Sequence, residues 1–81
     1  MYTKIPAISG NLLIELLKGD GWEEGRRTKH GISMTKFITD RTRVTIIPTV
    51  NSPLPDGTLS AILGPKQTGI GKSGLRRILN S

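Results

Sequence analysis

Apolar and polar positions alternate along this chain with periods that change from segment to segment. Leu12, Leu13, Leu16 and Leu17 recur at helical spacing behind Ser9, a residue type that caps helices. The pattern predicts a first helix with these leucines as its buried stripe. Lys18 suits the negative end of that helix, and Gly19 is the expected left-handed residue after it. "GDGW" then reads as a turn. The period next shortens to that of strands. Trp22 to Arg27 is a polar strand candidate, Gly31 to Thr39, with β-branched and aromatic residues, is a second, and Thr42 to Ile47 is the strongest. "DR" at 40 and 41 makes a tight reversal, and Pro48 cannot donate to a ladder and ends the last strand. Together they predict an antiparallel three-stranded meander. Pro48, Pro53 and Pro55 hold the loop that follows. Asp56 is then expected to cap a short helix with Leu59, Ile62 and Leu63 on one face, stopped by Gly64 and Pro65. A last helix sets Leu75, Ile78 and Leu79 against Arg76 and Arg77. The expected class is α+β, a helix and a three-stranded sheet followed by a short extra helix and a C-terminal one.

Eighty-one residues allow one small domain, spanning 1–81. A chain this size buries only about 60% of its unfolded surface on folding. There is no cysteine, so neither a disulfide nor a thiolate metal site is available, and His30 is the only histidine. No protein-built metal site and no cofactor are expected. The absence of cysteine suits the cytoplasm. No apolar run is long enough for a signal peptide or a membrane span, so no membrane partner is expected.

Charge changes the picture more. The net charge is +6 and the pI about 10.4. Glu15, Asp20, Glu23, Glu24 and Asp40 all lie in the first half. Beyond Asp56 stand Lys66, Lys72, Arg76 and Arg77 with no acid among them. A field of this kind draws polyanions or an acidic protein.

"GPKQTGIGKSG" (64–74) looks like a phosphate-binding loop, but its spacing fails. Counting back from Gly71-Lys72-Ser73 places Lys66 where the first glycine belongs. Counting forward from Gly64 places Ile70 where the lysine belongs. Gly69, Gly71 and Gly74 fit G-x-G-x-x-G, yet the strand and acid that should follow the helix have no room before Ser81. The stretch reads instead as a helix start. Gly71 is the expected N-cap, with Ile70 and Leu75 as a hydrophobic staple and Lys72 available to an anion.

His30 is the residue best suited to chemistry. It follows Arg26, Arg27 and Lys29 and precedes a strand. An imidazole among cations suits acid–base work on RNA. A base removes the 2′-OH proton, that oxygen attacks the adjacent phosphate, and the cations hold the added charge. The alternative is a half-buried residue sharing a strand face with Ile32 and Met34. Glu23, Glu24, Lys29 or Lys36 could serve as partner acid, and the spacing does not choose among them. Trp22 reads as a core anchor. Phe37 and Tyr2 stand too far apart to form an aromatic RNA-reading face. Arg26, Arg27, Lys29 and Lys36 are the expected phosphate contacts, with Lys66, Lys72, Arg76 and Arg77 in a second tier. A non-catalytic RNA-binding module, or a basic protein-interaction domain, would use the same surface.

"GDGWEE", "TKHGISM", "RVTIIP", "DGTLSAIL" and "TGIGKSGLRRIL", in this order, resemble the HicA toxins of bacterial HicA–HicB toxin–antitoxin pairs. The resemblance covers nearly the whole chain. It implies a fold like the double-stranded-RNA-binding domain, α-β-β-β-α. It also implies a metal-independent mRNA endoribonuclease that is neutralised by an acidic HicB-like antitoxin. The family's catalytic histidine falls on His30. Where many members have Gly-Ser-His this chain has Thr28-Lys29-His30, and where many have Pro-x-His it has Pro48-Thr49-Val50-Asn51.

Overall fold

The computed structural model describes residues 6–80. In chain order they form α1 (Gly10–Gly19), β1 (Glu23–Thr28), β2 (Gly31–Ile38), β3 (Arg41–Ile47), α2 (Asp56–Leu63) and α3 (Gly71–Leu79). The strands make one antiparallel sheet in the order β1-β2-β3. The protein is therefore α+β, with a helix, a three-stranded meander and then two helices, as the hydrophobic pattern predicts.

Ser9 caps α1, its side chain accepting from the Leu12 N–H at 3.1 Å. The helix is turned from the expected stripe. Gly10, Leu13, Ile14 and Leu17 are buried, while Leu12 is 45% exposed. Gly10 explains the rotation. A Cβ there would lie 1.7 Å from the Pro48 carbonyl oxygen, so the bare backbone of Gly10 must be the part that meets β3's end. Positions three, four and seven residues on then face the core. The left-handed residue after α1 is Gly21 (φ 96°), not Gly19. Asp20 closes the helix, and the Gly21 N–H donates to the Lys18 carbonyl at 3.1 Å.

Trp22 lies just before β1 rather than in it. Its N–H donates to the Leu17 carbonyl at 2.9 Å, and its side chain is buried, the core anchor expected. The indole Nε1 has no hydrogen-bond partner among the described residues. Alternation on the sheet is clean. Ile32 and Met34 of β2 and Thr45 and Ile47 of β3 are buried on the helix side, whereas Phe37, Val44 and Ile46 are exposed on the other. The second reversal uses Thr39 and Asp40 rather than Asp40 and Arg41. Arg41 already pairs with Ile38, and Thr39 takes φ 62°.

The second half of the chain closes the core. Ile8, Leu54, Ile62, Leu63, Leu75 and Ile78 complete the cluster begun by α1 and the sheet. Asp56 does not cap α2. Pro55 holds the cap position without a side-chain bond, and Asp56 opens the first turn, where a carboxylate favours the positive helix end. At the other end, buried Thr68 donates both its N–H (3.0 Å) and its hydroxyl (2.7 Å) to the Ile62 carbonyl. That satisfies a carbonyl the helix leaves without an internal partner. Gly71 is the first residue of α3 rather than its cap, and at φ 69° it is where the chain turns into the helix. Ile70 packs against the core and Leu75 is fully buried in it. The Ile70 side chain lies over Gly74, where a Cβ would come within 2.9 Å of it.

Candidate nucleic-acid interface

The β1–β2 reversal carries the candidate chemistry. Thr28 closes β1 opposite Gly31, and Lys29 and His30 form the turn between them. Two bonds shape that turn. The His30 N–H donates to Thr28 Oγ1 (3.1 Å), and the Thr28 hydroxyl donates to the Gly31 carbonyl (3.3 Å). Gly31 adopts φ 137°, and a Cβ there would approach the Ile47 carbonyl oxygen to 2.1 Å. Only glycine fits this position, so the turn is fixed against β3 on its C-terminal side. His30 is exposed, and it precedes β2 instead of sharing a face with Ile32 and Met34. Arg26, Arg27 and Lys29 are exposed at the same end of the sheet. The ladder slips between Glu24 and Arg27, which places Arg26 in the irregular stretch and Arg27 opposite Ile32.

The structure separates the other expected contacts from this turn. Lys36 lies six residues along β2 from His30, roughly 20 Å at the usual strand rise. Its Nζ donates to the Asp20 carbonyl (2.5 Å) and lies 3.4 Å from the Asp20 carboxylate. Glu24 pairs with Met34 in register and forms an ion pair with Lys18 at 3.4 Å; Glu23 sits opposite Thr35. Both are therefore more than roughly 12 Å along the strands from His30. Of the four side chains considered as partner acid, Lys29 alone is beside it.

The second tier is divided as well. Lys66 sits on the loop between α2 and α3, next to Arg41 and Arg43 of β3. Lys72 opens α3 and, with Arg76, lines a groove of about 630 Å³ against Pro6–Ile8 and the start of α2. Arg76 is half-buried and Arg77 exposed, so the two arginines do not share one polar face. Tyr2 lies outside the described residues. Phe37 is 68% exposed on the open sheet face.

Arg43, like Arg41, is a basic residue that sequence reasoning passed over. Its Nη1 donates to the Pro65 (2.6 Å) and Gln67 (3.3 Å) carbonyls, and Thr45 next to it on the same face bonds Gln67 Oε1 at 2.5 Å. These bonds fasten "GPKQTG" to the edge strand. The signal was present in the alternation Arg43, Thr45, Ile47, which turns Arg43 toward the helix layer.

Among the described residues, no three His, Cys, Asp or Glu side chains gather as a metal site would require, and no helix is long and apolar enough to cross a membrane. Comparison with family models, curated proteins and solved structures returns no match to this chain. The functional reading therefore rests on the residues themselves.

Proposed function

We propose that this protein is a metal-independent endoribonuclease that uses His30 as general acid/base, and that it acts as an mRNA-cleaving toxin held in check by an acidic antitoxin. One observation carries the catalytic part. The chain's sole imidazole is exposed on a turn whose backbone is fixed by Thr28 and Gly31, with Arg26, Arg27 and Lys29 beside it. That exposure leaves the imidazole accessible to a docked RNA backbone. The likeness of "TKHGISM" and the other segments to HicA toxins supports the toxin part.

In this reading Arg26, Arg27 and Lys29 hold the phosphates on either side of the scissile bond. His30 removes the proton from the ribose 2′-OH. The 2′ oxygen attacks phosphorus, the bond to the 5′ oxygen breaks, and that oxygen takes a proton from water while His30 gives up its own to solvent. The products are a 2′,3′-cyclic phosphate and a 5′-hydroxyl. DNA, lacking the 2′-OH, resists.

The test compares parent and His30→Ala on RNA in the presence of EDTA, with mass spectrometry of the fragments. Loss of a general acid/base is expected to slow cleavage roughly 100- to 10,000-fold with RNA binding retained. Cyclic-phosphate ends are expected, unaffected by EDTA. Equal rates for parent and variant would overturn the role of His30. A 5′-phosphate product with a magnesium requirement would overturn the mechanism. A parent that binds RNA without cutting it is a binding module, and one that ignores RNA at every salt concentration is a partner for an acidic protein.

A further inference from the structure

A second group of cations gathers at the other end of the sheet from His30. There the sheet, the 64–70 loop and α3 enclose a cleft of about 470 Å³ lined by Lys36, Arg43 and Arg77, with Asp20 the acid on its wall. Two of these head groups are fixed in advance. The Arg43 guanidinium is bonded to two loop carbonyls through Nη1 and lies against Gly69, where a Cβ would come within 2.9 Å of it. Lys36 is held by the Asp20 carbonyl and carboxylate. Arg77 reaches the cleft from the exposed side of α3. A neighbouring depression of about 310 Å³ adds Arg41 and Lys66 and shares Arg43.

Fastening the loop accounts for the Arg43 clamp, because it satisfies the carbonyls of Pro65 and Gln67. It does not account for Arg77 in the same cleft, or for Arg41 and Lys66 in the adjoining depression, where like charges repel. Arg43's bonds to the loop use Nη1, one corner of a planar group with five donors whose fork matches phosphate oxygens. The Arg43 and Lys36 head groups are held in place before any ligand arrives, which lowers the cost of binding one.

We propose that this cleft is a phosphate-binding site for the backbone of single-stranded RNA, separate from the His30 turn and roughly 20 Å from it. The inference rests on the reading of RNA as substrate. The two adjoining depressions favour a run of phosphates over one isolated anion, since Arg43 serves both and cations continue on either side of it.

The experiment uses the full chain and an eight-nucleotide RNA whose riboses are 2′-O-methylated, so that it binds and is not cut. Binding is followed by anisotropy across a salt series, and by the emission of Trp22, the one tryptophan, which lines the cleft. Arg77→Gln is the first variant because it leaves the Arg43 clamp in place. Arg43→Lys is the second and keeps the charge while losing the fork. Arg77→Gln is expected to weaken low-salt binding about fivefold and to shallow the slope of log K against log salt by roughly 0.7. Its melting temperature should stay that of the parent. Arg43→Lys should also weaken binding, and Trp22 emission should respond to the oligonucleotide in the parent. Unchanged affinity and slope in Arg77→Gln, with a silent Trp22, would overturn the site. So would poly-glutamate that perturbs Trp22 and is not displaced by the oligonucleotide, since the cleft would then belong to an acidic protein. Cleavage by the parent is scored separately. If the parent cuts RNA and the cleft does not bind it, the cleft falls and His30 stands. If the cleft binds and nothing is cut, the reverse holds.

Discussion

Gly31 and Thr28 determine where His30 stands, and neither was conspicuous in the sequence. Nothing in "TKHGISM" reveals that a Cβ at Gly31 would strike the Ile47 carbonyl, because that contact joins residues that only the β2–β3 pairing brings together. Gly31→Ala should cost about 3 kcal/mol or more, since it adds both a clash and a left-handed alanine. In a domain of this length that lowers the melting temperature by more than about 12 °C, measurable by circular dichroism. Thr28 acts more gently. Thr28→Val removes the hydroxyl that accepts from His30 and donates to Gly31, while keeping the side chain's size. If the hydroxyl positions His30, Thr28→Val should slow cleavage about fivefold through a bond of about 1 kcal/mol. Thr28→Ser should restore the rate. Equal rates for Val and Ser at position 28 would show that the bond shapes the turn without serving the chemistry.

Element types were legible because each rests on local periodicity. The alternation from Gly31 to Ile47 and the apolar spacing in α1 and α3 survive any tertiary context. Rotation and caps were less legible, since they depend on partners distant in sequence. Leu12 turned outward because Gly10 had to meet Pro48, and Asp56 moved from cap to first turn because Pro55 already held the extended cap position. The same division runs through "GPKQTGIGKSG". Its start is a loop fastened by Arg43 and Thr45, and its end is a helix. Two sets of substitutions separate its structural and electrostatic parts. Ile70→Ala should cost about 1–2 kcal/mol, as a partly buried apolar side chain is lost, and leave the salt slope of RNA binding alone. Lys66→Gln with Lys72→Gln should do the opposite, weakening low-salt binding and flattening the slope by up to about 1.4 with little change in melting temperature. An unchanged slope in the double variant would remove both lysines from the footprint.

At the scale of the molecule, the sequence gives the total of the charge but not its distribution. Lys36 is expected with Arg26, Arg27 and Lys29 as a phosphate contact, and all four lie on the β1–β2 hairpin. Folding sends it to the far end of that hairpin, beside Arg43 and Arg77. The single basic surface expected from composition is thus divided into two cationic ends with the sheet between them, while Lys72 and Arg76 stand apart beside α2. The imidazole belongs to one end and the clamped arginine to the other. A polyanion that engages both must span roughly 20 Å, which at the per-strand spacing of stacked nucleotides is about six phosphates. Affinity for uncut oligonucleotides should therefore climb steeply with length up to about six nucleotides and more slowly beyond. The gain between three and eight nucleotides should be larger in the parent than in Arg77→Gln, because a three-nucleotide ligand reaches one end only. Lys29→Gln and Arg77→Gln, too far apart to share a contact, should weaken binding of the longer ligand additively. A length profile that is flat beyond three nucleotides, or the same in parent and Arg77→Gln, would mean that the RNA never leaves the His30 turn.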